Sequence, residues 1–326
     1  MRDKMNKFPR PKVVVSKCIE FASCRYNGSK IASPIVLQLQ NYVDFIPVCP
    51  EVEIGLGIPR EAVRLVMTNS EIKLLNSSDS ENYSTAMQDF SDNFLKTQKK
   101  INGFILKSRS PSCGIKEVKL YPGIGRVQAI SSKSKGIFGN AVLDKFGYLP
   151  VEDEGRLTNL HLREQFLTKL YTFTDFEHLT ENMAELVNFH AKNKYLFMSY
   201  NQAKLKLAGK IVANHDKLST SLVFYQYRQI LYQIFNNSSR ISSNINVLLH
   251  ILGYFSKQLS GKEKAYFLDQ LETYRNKQIP LVVLTAILQS WVLRFDQKYL
   301  LQQTYFEPFP RELMHITDSG KGRIIK

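Results

Sequence analysis

Four cysteines are the residues of this chain best suited to hold a reactive centre, and three of them, Cys18, Cys49 and Cys113, share a setting. Val13-Val14-Val15 leads through Ser16 and Lys17 into Cys18. Phe45-Ile46-Pro47-Val48 leads into Cys49-Pro50-Glu51, and Phe104-Ile105-Leu106 runs through a Ser/Pro loop into Cys113-Gly114. Each apolar run reads as a buried strand. Each then hands a cysteine to the loop at its C-terminal end, where open α/β sheets place their ligands. Spacing adds little, because the intervals of 5, 24 and 63 residues between successive cysteines match no zinc ribbon. Scattered core cysteines are the competing reading.

Glu51 sharpens the case for a metal. In an extended segment stiffened by Pro50, Cys49 and Glu51 point the same way. A thiolate beside a carboxylate is unfavourable unless a cation or a protonated carboxyl relieves it. Soft thiolates select zinc or iron–sulfur, and a set of three cysteines leaves one coordination position open to substrate. Ser110 and Ser112, flanking Pro111, bring hydroxyls to the same place, or else simply shape a turn.

The elements that must position these residues alternate strand and helix through the first half. Lys12–Ser16 and Asp44–Val48 read as strands, with a short helix over 34–41 between them. The Gly/Pro-rich segment 50–60 reads as a loop, 61–82 as a strand pair with its hairpin at 76–80, and 83–101 as an amphipathic helix. Lys133–Gly139 before an apolar helix at 140–146 reads as a plain turn or an anion cradle. The acidic turn at 151–156 reads as a seam. From Asn159 on, apolar residues recur at three- and four-residue spacing over seven segments. The expectation is an α/β domain with a Rossmann-like open sheet over residues 1–155 and an all-α domain over 156–326.

The chain has 326 residues, enough for two cores. Its 44 Lys and Arg against 29 Asp and Glu give a net charge of +15, of which residues 156–326 carry +9. Such a field favours a polyanion or an anionic membrane surface. In the helical half, Lys192, Lys194, Lys204, Lys206, Lys210 and Lys217 lie among Tyr195, Tyr200 and Tyr225. Basic and aromatic side chains together suit RNA, whose bases stack on such planes. Lys192, Lys194, Lys206, Lys210 and Arg240 are the candidate contacts; solvation of a helix face is the plainer reading for any one of them. His190 and His250 read as core or hydrogen-bonding residues. Residues 1–11 read as a loose lead-in without a signal peptide. The longest apolar stretch, 279–293, is too short and interrupted to span a bilayer. A cytoplasmic protein with no membrane partner and no obligate protein partner is expected, and disulfides are not.

Three separated motifs in order resemble the thiouracil desulfidase family: Val15 to Cys18 through Cys24 to Gly28, Phe45 to Glu51 with Gly57 to Arg60, and Lys107 to Gly114. The back half resembles the helical domain fused behind this one in tRNA 4-thiouridine desulfidases, through Phe189-His190, residues 244–255 and residues 299–310. The resemblance implies a 4Fe–4S cluster held by Cys18, Cys49 and Cys113, with Cys24 outside the ligand set. It also implies a catalytic carboxylate on Glu51 and a catalytic hydroxyl on Ser110, or else Ser112. Phe21 and Asn27 depart from the glycine and aspartate that relatives carry. The implied reaction replaces the sulfur of 4-thiouridine in tRNA with oxygen. A desulfidase of free thiouracil, a non-catalytic iron–sulfur RNA-binding protein that needs Cys24, and a zinc hydrolase are the alternatives.

Overall fold

A computed structural model describes residues 8–314. In chain order the elements to 177 are β1 (Lys12–Ser16), α1 (Pro34–Leu39), β2 (Asp44–Val48), α2 (Pro50–Glu53), β3 (Val63–Thr68), β4 (Glu71–Asn76), α3 (Ser84–Thr97), β5 (Gly103–Leu106), β6 (Val118–Tyr121), β7 (Ser131–Ser134), α4 (Ile137–Phe146), β8 (Val151–Asp153) and α5 (Leu160–Glu177). Eight helices follow: α6 (Met183–Lys192), α7 (Lys194–Tyr200), α8 (Gln202–Ala213), α9 (Thr220–Ile234), α10 (Ile241–Gly253), α11 (Gly261–Arg275), α12 (Leu281–Arg294) and α13 (Lys298–Leu301). The lead-in expected over 1–11 lies outside the described residues for its first seven, as does the end of the helical half from 315.

Two compact units divide the chain after Thr174 and after Pro310, with Arg311 to Met314 returning to the first. The seam expected at 155/156 falls short of that division. Most of α5 keeps company with the first unit: Tyr171 donates its hydroxyl to the Tyr42 carbonyl at 3.3 Å, and Leu170 packs where Gly103 has no side chain.

The first unit is α/β. Its main sheet is wholly parallel in the order β2-β1-β5-β8. Val13, Val14, Val15, Phe104, Ile105 and Leu106 are fully buried, as befits a parallel sheet covered on both faces. Each such side chain contributes about 1.5–3 kcal/mol by leaving water. β8 was expected to be an acidic turn; its short run Val151–Asp153 instead pairs with Phe104–Leu106.

A second, mixed sheet runs β4-β3-β6-β7; the strand pair expected over 61–82 forms its β3–β4 half, and the pairing of β6 and β7 onto it went unread in the sequence. Its hairpin turns at Asn69 and Ser70, both at positive φ, as a two-residue turn between twisted strands requires. The turn is therefore not at 76–80, which instead leads from β4 into α3. α2 replaces part of the expected loop because Pro50 stands at the first helical position behind an extended Cys49.

The second unit is helical, as its periodicity predicts. Asn182, Asn201 and Ser260 cap α6, α8 and α11 through their side chains, Ser260 in a capping box with Glu263. Its core holds Phe176 stacked on Tyr227 and Phe224, and Phe255 against Trp291. Among the described residues no helix is long and apolar enough to cross a membrane.

Candidate active site

The order β2-β1-β5 puts the three cysteine-bearing strands side by side, with β1 where the connections switch direction. Register levels their ends: Val15 lies opposite Pro47 on one side and Ile105 on the other. Cys18, Cys49 and Cys113 therefore leave the sheet at one edge, the crevice where such sheets bind ligands. Lys17 ties the first loop down by donating its amide to the Val48 carbonyl at 2.7 Å.

The Cys113 loop is built by short local bonds. Ser110 Oγ accepts the amides of Ser112 at 3.2 Å and Cys113 at 3.1 Å. The carbonyls of Gly114, Pro111 and Ser112 accept amides from Gly136, Ile137 and Gly139 at 2.7, 3.2 and 3.0 Å. The first turn of α4 thus spends its free N–H groups on the cysteine loop. Of the two readings of 133–139, the anion cradle is not formed, since backbone carbonyls of the cysteine loop occupy these amides. Closeness requires glycine here: a Cβ on Gly139 would lie 2.5 Å from the Gly114 carbonyl oxygen and 2.6 Å from that of Cys113.

All four cysteines are free thiols and buried. Burial first, and the neighbouring Cys49 next, push the Cys18 thiol up to about 12. Cys49 is likewise pushed to about 12 by burial, against a hydrogen bond with the Val52 backbone, while Cys24 and Glu51 add to the rise. Cys113 stands well above its ordinary range through burial, opposed by a hydrogen bond with Ser16 and reinforced by Cys18, Glu51 and Cys49. The sulfurs therefore sense one another and one carboxylate. Their anions are costly together without a cation, and a soft metal centre relieves that cost by displacing the protons. Among the described residues no three His, Cys, Asp or Glu side chains stand close enough to hold a single metal ion. Buried thiols are the donors that soft metal centres, zinc and iron–sulfur alike, select.

Glu51 reaches this edge by a different route from the one expected. It does not alternate with Cys49 along an extended segment; Cys49 is the cap of α2 and Glu51 lies in its first turn. The carboxylate is held from two sides. Arg60 Nε donates to Oε2 at 3.1 Å and Arg60 Nη2 donates to the same oxygen. Ser112 Oγ donates to Oε1 at 2.7 Å. Ser112 has no exposure at all, whereas Ser110 is half-buried. The two serines thus take separate positions: one is bound to Glu51, and the other is held by amides with its hydroxyl proton left over.

Cys24 lies beside Cys49, whose Sγ donates to the Cys24 carbonyl at 3.8 Å. In the first loop Phe21 packs edge-on to Phe45, and Asn27 accepts from the Ser29 amide at 3.2 Å. Arg60, Lys107 and Glu154 were missed as site residues. Glu154 follows β8 and accepts Lys107 Nζ at 2.6 Å and the Ser108 amide at 2.8 Å. The Lys107 charge lowers the Cys18 pKa against the larger effect of burial. Arg60 and Lys107 stood inside the quoted motifs, so the signal was present; Glu154 was hidden by the misread seam.

In the second unit Lys194, Lys206, Lys210 and Arg240 are exposed, and Lys206 and Lys210 stand one turn apart on α8. Lys192 is partly taken by Asp175, 2.8 Å from its Nζ. Tyr195 is 2% exposed, with its hydroxyl on that of Tyr254 at 3.2 Å, so it is no surface ring; Tyr225 is exposed. His190 meets the Tyr227 hydroxyl at 3.0 Å, and burial lowers its pKa. His250 is exposed on α10, so of the two roles expected of it, core or hydrogen-bonding, the core one does not hold.

Comparison with known proteins divides the chain similarly. A family model described as 2-thiouracil desulfurase matches residues 13–154, and one described as a protein of unknown function (DUF1722) matches 194–310. The uncharacterized protein YbgA of Escherichia coli K12 is 23% identical over 158 residues, 47% of this chain and 93% of its own length. The uncharacterized protein YbbK of Bacillus subtilis 168 is 32% identical over 110 residues, 31% of this chain and 72% of its own. A solved structure, that of the 4Fe–4S-dependent thiouracil desulfidase TudS, is 25% identical, covers 45% of this chain and 93% of its own, and has a TM-score of 0.37.

Proposed function

The chain belongs to the 2-thiouracil desulfurase family, and from that premise we propose that it removes sulfur from 4-thiouridine in tRNA, giving uridine and sulfide. One observation carries the chemistry: three buried thiols leave adjacent parallel strands beside a carboxylate that has a hydroxyl on one oxygen and a guanidinium on the other. Cys18, Cys49 and Cys113 would hold a 4Fe–4S cluster. When bound, it would supply Lewis-acid polarisation of a C–S bond. Cys24 lies next to Cys49 and takes no ligand role.

The reaction is a hydrolysis in which water supplies the oxygen, C=S becomes C=O, and hydrogen sulfide leaves. Glu51 Oε1 serves as the general base that takes the proton from water. Ser112, wholly buried, fixes that oxygen without touching substrate. Ser110, whose oxygen is held by two amides, offers its hydroxyl proton to the reacting group.

Support for RNA comes from the second unit, whose 15 Lys and Arg against 10 Asp and Glu give +5 between residues 175 and 310. Lys206, Lys210 and Arg240 stand exposed, as does Lys194, whose Nζ lies 5.6 Å from the Tyr195 ring centroid, where phosphates could meet them; phosphate contacts fix a nucleic acid without reading its sequence. Lys192 shares its charge with Asp175. The family's description favours a second reading, desulfidation of free thiouracil. A free base has no phosphates for that charge to hold.

Two variants test the assignment. Cys113→Ala loses iron and turnover together, whereas Glu51→Ala keeps its iron and loses about 10²–10⁴ in rate, the range of general base catalysis. Native-rate sulfide release by Glu51→Ala removes Glu51 from the reaction.

A further inference from the structure

The geometry points to Arg60 as the positioning residue that gives the two oxygens of Glu51 separate tasks, an inference that rests on the desulfidase reading above. A guanidinium carries five N–H donors in a fixed planar fork. Five contacts leave Arg60, and all go to the protein. Nε donates to Glu51 Oε2 at 3.1 Å, and Nη2 donates to the same oxygen. Nη1 and Nη2 both donate to the Cys24 carbonyl at 3.1 Å, and Nη1 also donates to the Gly57 carbonyl at 3.0 Å. The side chain is 6% exposed. No donor is left for a substrate, so Arg60 does not act by touching the thiolated base.

What Arg60 contributes must pass through its partners. Both of its contacts with Glu51 fall on Oε2, which makes that oxygen the anchored one. Oε1 accepts one bond, from Ser112 at 2.7 Å, and an ionised carboxylate oxygen retains a second acceptor site. That remaining site is where a water is held for attack. A carboxylate gripped at one end presents the other in a single orientation, and misplacement by about 1 Å is enough to cost roughly 100-fold in rate. The contacts with Cys24 and Gly57 brace the guanidinium itself, so the anchor is rigid. Lysine is no substitute, since a point ammonium cannot span three acceptors in a plane.

The test compares Arg60→Ala, Arg60→Lys and wild type as anaerobically purified full-length protein. Iron and labile sulfide are measured, then kcat and KM for sulfide release from 4-thiouridine tRNA, with and without added guanidinium ion. Both variants are expected to keep native iron and labile sulfide, to lose about 100-fold in kcat, and to keep KM within about threefold. Guanidinium is expected to restore roughly tenfold of that loss in Arg60→Ala, by refilling the vacated contacts, and nothing in Glu51→Ala. Native kcat in either variant overturns the inference. So does a loss confined to KM, which makes Arg60 a substrate contact, or loss of the cluster in Arg60→Lys, which makes it a tie for the Cys24 loop. Should wild type release no sulfide from thiolated tRNA or from free thiouracil, the desulfidase reading falls by itself. The positioning role is then decided by the crystal structure of Arg60→Lys: Glu51 still on Ser112 contradicts it, and a rotated carboxylate supports it.

Discussion

Ser110 and Ser112 stand two residues apart and have different work to do. Ser112 is buried to its last atom and spends its proton on Glu51 at 2.7 Å; Ser110 is half-buried and accepts two amides. Ser110→Ala is expected to lower sulfide release about 100-fold with iron retained, and to cost about 1 kcal/mol in urea unfolding from the lost turn contacts. Ser112→Ala, where a water can take the place on Oε1, is expected to lose roughly tenfold. The reverse order of the two rates contradicts this division. Both serines were legible in the sequence, but not which one meets Glu51, because that contact crosses from one loop to a helix turn 61 residues away. The thiols make a prediction about pH. The folded Cys18 pKa of about 12 lies above the ordinary 9.0, so iron-free protein carries this stabilisation in full below about pH 9 and loses it as pH rises toward 12. Cys18→Ser, which does not titrate, should show a shallower fall in unfolding free energy between pH 8 and about 10.5. Parallel falls in both proteins contradict it.

At the scale of elements, the site depends on the fit between the Cys113 loop and the N-terminus of α4. Gly136 and Gly139 let backbone meet backbone: a Cβ on either would come within 2.5 Å of a loop carbonyl. Gly139→Ala is expected to destabilise the protein by about 1–3 kcal/mol, the cost of overpacking, as read by urea unfolding, and unchanged stability contradicts this close fit. The three cysteine strands were legible because parallel strands buried on both faces are short continuous apolar runs. β8 was not. Val151-Glu152-Asp153 is an edge strand of three residues with two acids, and its composition resembles a turn. The pairing of β6 and β7 onto the β3–β4 pair, which completes a mixed sheet, escaped because β6 and β7 are four residues each and β7 is Ser131-Ser132-Lys133-Ser134. Such strands are defined by their partners and carry little pattern of their own.

Over the whole molecule, helical periodicity beyond Asn159 was a reliable guide because long amphipathic segments repeat their signal over several turns. The division into units was less so. α5 is continuous through Thr174, and a boundary inside a helix leaves no glycine or proline to mark it. Charge was legible as a total, but which lysines remain exposed was not, since ion pairs such as Lys192 with Asp175 form only in the fold. The central claim joins both halves of the sequence in one reaction, and one measurement tests it most directly. Anaerobically purified protein containing iron and labile sulfide is mixed with tRNA bearing 4-thiouridine, and sulfide and uridine are counted together. The account predicts one sulfide and one new uridine for each 4-thiouridine lost, with turnover falling steeply as salt rises. Iron-loaded protein that leaves 4-thiouridine intact and releases no sulfide would contradict it.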